Sequence, residues 1–283
     1  RNEPGGLRLL SAGPILTVAE GYPLNVFGHA GHHHGHGAGV EIAIPLSSVA
    51  EAQAMTRQLL DAGVSVIKVA LEPGGESGAP WTRQGLHDQV SWPMLSADML
   101  AMIVATAHQA GKKVSAHLSE NQGVKLALAA GVDEWAHTPC LAIDDVLLQQ
   151  AVSQGVTVIS TLDTLSQCPG VMVNARRLAE LGATLLYGAE LAHLDIPWGF
   201  DAQELQWLMQ STGMSPLQAL TTVTATAGSY LGLAPLGQLS PDAPADVIAV
   251  RGNVLEHIKS LEYPELVMVG GKIISNRLPP KAQ

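Results

Sequence analysis

The chain has few cysteines, no block of basic residues and no long apolar run. Cys140 and Cys168 are the only cysteines among 283 residues. So few thiols make no disulfide framework, and we expect two free, inert thiols. The formal net charge is −10, which argues against nucleic acid and anionic membrane surfaces as partners. No segment is long and apolar enough to span a bilayer, so we expect a soluble chain.

Sequence signals at the N-terminal end are also missing. The chain starts at Arg1, without an initiator methionine and without a signal-peptide pattern. We therefore expect a processed, truncated or partly observed product. The sequence does not determine the compartment, although we favour the cytoplasm. No glycine-rich nucleotide fingerprint follows the first expected strand, which argues against an open doubly wound nucleotide-binding sheet.

The residues that are present predict an α/β protein. Apolar residues make up 47% of the chain and charged residues 14%, a balance typical of a well-packed enzyme. Strand and helix patterns alternate from about residue 7 to residue 232, which predicts a parallel sheet covered by helices. We count six strand–helix units, with strands near residues 7, 64, 113, 134, 157 and 184.

The pattern changes after residue 235. The segments GQLSPDAPADVIAV and PELVMVGGKIIS predict three short strands, the last two joined by a tight turn at Gly270-Gly271. We accordingly place a barrel-like domain at residues 1–235 and strands of a second sheet, with a tail, at 236–283. The second part is too short to fold alone and must join a sheet that another segment provides.

Four polar residues stand where apolar strands end: Lys68, His117, His137 and Glu190. Each follows a helix, a glycine and a run of mostly apolar residues. In barrels of parallel strands, catalytic groups lie at the carboxyl ends of the strands. Imidazole is the commonest protein ligand for Zn²⁺ and suits other divalent metals. One amine, two imidazoles and one carboxylate at such ends therefore predict a metal-assisted site.

Lys68 and Glu190 each allow two interpretations. Lys68 lies in VSVIKVAL, and a buried ammonium must be paired, deprotonated or modified. It either forms a salt bridge or carries a CO2-derived carbamate that can bridge two metals. Glu190 either binds metal and acts as general base on a bound water, or forms an ion pair with Lys68.

Further histidines are secondary candidates for contact with substrate or metal. The loop GHAGHHHGHGAG, residues 28–39, contains five histidines: His29, His32, His33, His34 and His36. A solvated or metal-scavenging surface loop is the simpler interpretation. Its place after the first expected strand would bring it to the same rim as the four strand-end residues. His193 follows Glu190 by three residues and is a similar candidate.

These segments resemble the amidohydrolase superfamily, in its imidazolonepropionase-like and metal-dependent dipeptidase-like branch. The resemblance runs from about residue 7 to 275 and rests on VIKVALEPGG, GKKVSAHLSENQGVKLALAAGVDEWAHTP, TLLYGAELAH and LGQLSPDAPADVIAV. It implies a (β/α)8 TIM barrel, here represented by strands three to eight, with the C-terminal strands of a small β-sandwich. It also implies one or two divalent ions such as Zn²⁺, a carboxylated Lys68, and His117 and His137 as ligands.

The chain departs from the family pattern in two places. The first barrel strand with its His-x-His metal ligands is not present before residue 7, and Glu190 stands where the family has an aspartate. We therefore expect an N-terminal fragment or companion subunit to complete the barrel, within an oligomer that acts on a small-molecule substrate.

Three functions remain open at this point. The first is a metal-dependent hydrolase of amide or other C–N bonds. The second is a non-catalytic amidohydrolase-like subunit that serves binding or assembly with a degenerate metal site. The third is nickel or zinc storage by the histidine-rich loop.

Overall fold

The computed structural model describes residues 8–27, 42–74, 91–191, 196 and 198–279. Seven short strands form its main sheet: β1 Ile15–Thr17, β2 Ala43–Pro45, β3 Val66–Leu71, β4 Lys113–Leu118, β5 Glu134–Trp135, β6 Thr157–Ile159 and β7 Thr184–Leu186. The strand order is β2-β1-β3-β4-β5-β6-β7. The pairs from β2 to β6 are all parallel. The predicted α/β class is confirmed, and within the described residues this order leaves β2 and β7 at the two ends of the sheet.

Nine α-helices accompany the strands in the described residues: α1 Leu24–Phe27, α2 Val49–Asp61, α3 Ala97–Gln109, α4 Asn121–Ala130, α5 Asp145–Ser153, α6 Val171–Glu180, α7 Ala202–Thr212, α8 Pro216–Thr222 and α9 Ala225–Tyr230. Serine residues cap two of these helices. The Ser48 hydroxyl accepts from the Glu51 backbone N–H, and Ser215 forms a capping box with Gln218. None of the described helices is long and apolar enough to cross a membrane.

The buried strands owe their position to apolar residues on both faces. Ile67, Val69 and Leu71 of β3 are fully buried, as are Val114 and Ala116 of β4. Such near-continuous apolar runs are typical of parallel strands covered on both sides. The core of the sheet therefore lies along β3 and β4, the strands that carry Lys68 and His117.

The N-terminal strand differs from the sequence prediction in position and in number. A strand was expected near residue 7, but β1 begins at Ile15. A second strand, β2, was not predicted, so the sheet has seven strands rather than six. β2 has three residues and ends in Pro45, a residue that sheets tolerate at their edges because proline donates no ladder hydrogen bond.

Three C-terminal strands form a separate antiparallel sheet. β8 Val247–Ala249, β9 Leu266–Val269 and β10 Lys272–Asn276 are ordered β10-β9-β8. Gly270 and Gly271 join β9 to β10 with φ angles of 56° and 79°. A tight hairpin of this type needs positive φ at both central residues, which glycine adopts at no steric cost. The three predicted strands and their hairpin turn are confirmed.

The chain divides into two compact units. The larger unit comprises the described residues of 10–159 and 165–184, and the smaller unit those of 1–9, 160–164 and 185–283. The domain boundary near residue 235 stays a prediction.

The expectation of two free thiols is wrong. Cys140 and Cys168 form a disulfide in the larger unit, with their Cα atoms 4.9 Å apart. The Gly170 N–H donates to the Cys140 carbonyl at 2.8 Å, which holds the two segments side by side. A count of cysteines could not reveal this pairing, because it depends on the folded proximity of residues 28 positions apart.

Candidate active site

His117 lies inside β4 and is almost fully buried, with 3% of its surface exposed. Its backbone pairs with Ala70 of β3. The Tyr22 ring stacks on the imidazole with ring centres 4.4 Å apart. The main sheet and this aromatic contact therefore fix the ring in an enclosed position.

His137 lies beside His117 in the same unit. It follows β5 by two residues and is 8% exposed. The two imidazole rings meet edge to face, with centres 5.0 Å apart and planes at 75°. Two imidazoles bound through a ring nitrogen to one tetrahedral Zn²⁺ would have centres roughly 5 Å apart. The spacing of this pair thus fits two ligands of one ion.

Glu72 is a site residue that the sequence analysis missed. It follows the last residue of β3, and its surface is 0% exposed. One carboxylate oxygen, Oε2, lies 3.3 Å from Nε2 of His117 and accepts a hydrogen bond from the Ser119 hydroxyl. The other, Oε1, accepts from the Gly74 N–H at 2.7 Å. The signal was available, because Glu72 lies four residues after Lys68 and alternate residues of a strand share a face.

Tyr22 and Trp92 extend the enclosure around His117. Their rings are nearly parallel, with centres 6.2 Å apart. The backbone N–H of Trp92 donates to the Pro73 carbonyl at 2.7 Å, which ties the tryptophan to the segment after β3. Aromatic surface next to the imidazoles lowers the access of water on this side.

Lys68 lies in β3 opposite Ser115 of β4 and is half-buried. The sequence predicted a buried amine, and partial exposure reduces the cost of keeping a positive charge there. The expectation that Lys68 ends its strand is wrong, because three residues of β3 follow it. Its strand does pair with that of His117. Whether Lys68 carries a carbamate stays a prediction.

Glu190 belongs to the smaller unit and is exposed. It lies four residues beyond β7, and its φ angle is 50°, in the left-handed region that few non-glycine residues adopt. The Thr164 hydroxyl donates to the carbonyl of Ala189 at 3.1 Å, next to Glu190. Backbone strain of this type accumulates at functional positions. The role of Glu190 stays a prediction.

A buried carboxylate supports the Thr164 segment in the smaller unit. Glu204 of α7 is 0% exposed and accepts from the Asp163 N–H at 2.7 Å. Burial raises the pKa of Glu204 to about 7. The Trp207 indole donates to the Asp163 carboxylate at 2.9 Å. These contacts fix residues 160–164 from the side of α7.

Several candidates lie outside the described residues, and the structure does not address them. They are His29, His32, His34, His36 and His193.

The donor chemistry at His117 fits a divalent metal in part. Two adjacent buried imidazoles and a fully buried carboxylate are groups that Zn²⁺ and similar ions bind. In the described part of the chain, however, no three histidine, cysteine, aspartate or glutamate side chains are grouped so as to hold an ion. His117 and His137 therefore fit as a pair of metal ligands. A complete metal site needs a further ligand of another type, such as a modified lysine, or a ligand from another segment.

Known proteins resemble this chain in sequence. The profile of the amidohydrolase family matches residues 34–274. Ochratoxinase from Aspergillus niger is 28% identical over 282 residues, which cover 92% of this chain and 56% of the relative. Imidazolonepropionase from Deinococcus deserti is 25% identical over 166 residues, which cover 56% of this chain and 40% of the relative.

Solved structures share the fold. A Xaa-Pro dipeptidase with bound methionine in the active site superposes with a TM-score of 0.77 at 20% identity, covering 96% of this chain and 69% of that one. The chain spans about half the length of the curated relatives it matches. Since the family profile matches most of its residues, the chain belongs to the amidohydrolase family.

Proposed function

We propose that this protein is a metal-dependent hydrolase of amide or other C–N bonds. The observation that carries the proposal is the buried His117–His137 pair, whose ring spacing of 5.0 Å suits a shared ion. Family membership supports it, as do relatives named as ochratoxinase, imidazolonepropionase and a Xaa-Pro dipeptidase. The substrate class we propose is accordingly a small molecule with an amide or cyclic C–N bond.

In this proposal His117 and His137 hold one or two divalent ions of the zinc class, together with Lys68 as a carbamate. Such an ion would supply Lewis-acid chemistry for the substrate carbonyl and for the attacking water. Glu190 takes the proton of the attacking water and returns it to the leaving amine. Tyr22 and Trp92 limit the entry of bulk water beside the imidazoles.

The proposed site is larger than the donors described above. The His-x-His ligands that the family pattern calls for have no counterpart that we assign in this sequence. We propose that an N-terminal segment or a companion subunit supplies them and that the assembly is oligomeric. Identification of every polypeptide that copurifies with this chain tests this part of the proposal.

Metal analysis tests the proposed activity. The protein, purified without chelators or a histidine tag, is expected to retain Zn-class metal and to hydrolyse members of a panel of small amides, Xaa-Pro dipeptides and imidazolones. His117→Asn and His137→Asn should each lose metal and activity together. His257→Asn, at an exposed histidine of the smaller unit, is the matched control and should change neither.

Two other outcomes favour the alternatives. A folded protein with no metal and no hydrolysis would support a non-catalytic subunit. Metal that is lost on deleting residues 28–39 but retained in His117→Asn would support metal storage by the histidine-rich loop.

A further inference from the structure

Glu72 makes polar contacts with Gly74, His117 and Ser119 although no part of it reaches solvent. Burying a carboxylate is unfavourable unless donors compensate for the lost water. The Ser119 hydroxyl and the Gly74 N–H supply two donors, and the His117 ring faces the same oxygen as Ser119. The carboxylate is therefore held from two directions and is presented to one imidazole nitrogen, Nε2 of His117.

The backbone before Glu72 is also fixed in place. A Cβ atom built on Gly123 of α4 would lie 2.3 Å from the Leu71 carbonyl oxygen, so only glycine allows this approach. Helix α4 thus packs directly on the end of β3. His117 and Ser119 are two residues apart on the adjacent chain segment, so both side chains lie on the face towards Glu72. This arrangement leaves the Glu72 carboxylate little freedom to turn away from His117.

The contact bears on which nitrogen of His117 carries a proton. An ionised carboxylate only accepts hydrogen bonds, and neutral imidazole has one N–H and one lone pair. Nε2 faces the carboxylate, so the hydrogen belongs on Nε2 and the lone pair on Nδ1. Histidines that bind metal commonly donate the other ring N–H to a carboxylate, which fixes the ring and strengthens the ligand.

We propose that Glu72 is a positioning residue that holds His117 in the Nε2–H tautomer and so makes Nδ1 the metal-binding nitrogen. The inference has two steps. The metal step, in which Nδ1 binds an ion, rests on the function proposed above. The tautomer step, in which the hydrogen lies on Nε2, rests only on the contact between Glu72 and His117.

Nuclear magnetic resonance of metal-free protein tests the tautomer step. Long-range proton–nitrogen spectra of protein labelled with ¹⁵N-histidine, with His117 assigned by His117→Asn, should show the Nε2–H tautomer in the wild type. Glu72→Ala removes the acceptor and should populate the other tautomer. Glu72→Gln retains one acceptor oxygen and should keep most of the Nε2–H form. The inference is overturned if the wild type shows Nδ1–H, or if Glu72→Ala leaves the spectrum of His117 unchanged.

A matched control is available in the same unit. His108 Nε2 lies 2.9 Å from the Asp133 carboxylate, a histidine–carboxylate pair away from His117. Asp133→Asn should change the His108 signal and leave that of His117 as in the wild type. Circular dichroism and thermal unfolding identify any variant that does not fold. Glu72→Met, which also removes the acceptor but keeps most of the side-chain volume, then takes the place of Glu72→Ala with the same expected result.

Zinc titration against a chromophoric chelator tests the metal step. Glu72→Ala should weaken Zn²⁺ binding by about 10–100-fold, the usual effect of losing such a partner, and Glu72→Gln should weaken it less. Equal affinity in the wild type and Glu72→Ala would refute the metal step. If the wild type binds no Zn²⁺, the proposed function fails, and the tautomer spectra still decide the role of Glu72.

Discussion

Removal of the Cys140–Cys168 disulfide should destabilise the larger unit by a predictable amount. The bond closes a loop with a sequence separation of 28 residues. In the chain-entropy account, opening a loop of this length costs about 3.5 kcal/mol of unfolding free energy at 25 °C. For a unit of about 170 residues, that loss lowers the melting temperature by roughly 10 °C.

The same bond supports the segment that carries His137. Cys140 lies three residues after that histidine, and the Asn174 side chain donates to the Pro139 and Leu141 carbonyls at 2.9 and 2.7 Å. Asn174 is buried and also accepts from the Ile143 N–H at 3.0 Å. These hydrogen bonds should keep the segment near its folded position after the bond is broken, so we expect stability to fall more than activity.

The assay compares Cys140→Ala, Cys168→Ala and the double variant by denaturant unfolding. Either single change opens the loop, so the double variant should be only slightly less stable than each single variant. Thiol titration of the unfolded wild type should find no free thiol before reduction and two after it. Free thiols in the unreduced wild type, or additive losses near 1 kcal/mol per substitution, would contradict the reasoning.

Three further predictions concern single positions. The pKa of Glu204 is raised from its ordinary value of 4.5 to about 7. Between these two pH values the folded state holds the proton of Glu204 and the unfolded state does not. The stability of the wild type therefore falls as the pH rises from 4.5 to 7. The difference in unfolding free energy between Glu204→Gln and the wild type should therefore shift by about 3 kcal/mol in favour of the variant from pH 4.5 to pH 8. Denaturant unfolding at each pH measures this difference, and a value that does not change with pH would disprove the prediction. Gly123→Ala should lower the melting temperature clearly, because the added Cβ would lie 2.3 Å from the Leu71 carbonyl oxygen. The control variant is Ala129→Gly, on the exposed face of α4, and it should lose only about 1 kcal/mol of unfolding free energy. Glu190→Gly should be as stable as the wild type or up to about 1 kcal/mol more stable, since glycine adopts a φ of 50° without strain. The same variant should no longer hydrolyse substrate. A large loss of stability would argue against backbone strain at this residue.

Local sequence signals predicted most of the described fold. Serine caps at Ser48 and Ser215 and the alternation of strands with helices depend only on neighbouring residues. The family resemblance rested on such segments as well, and the family was confirmed. The positions of His117 and His137 at the ends of adjacent strands followed from the same patterns.

The tertiary structure decided the pairings between distant segments. Glu72 and His117 are 45 residues apart, and they meet because β3 pairs with β4 in a register that sets Ala70 opposite His117. The Cys140–Cys168 bond and the edge position of β2 depend likewise on which segments become neighbours. Caps and periodicity act over a few residues, whereas strand register and the contacts of buried side chains are set by packing of the whole sheet.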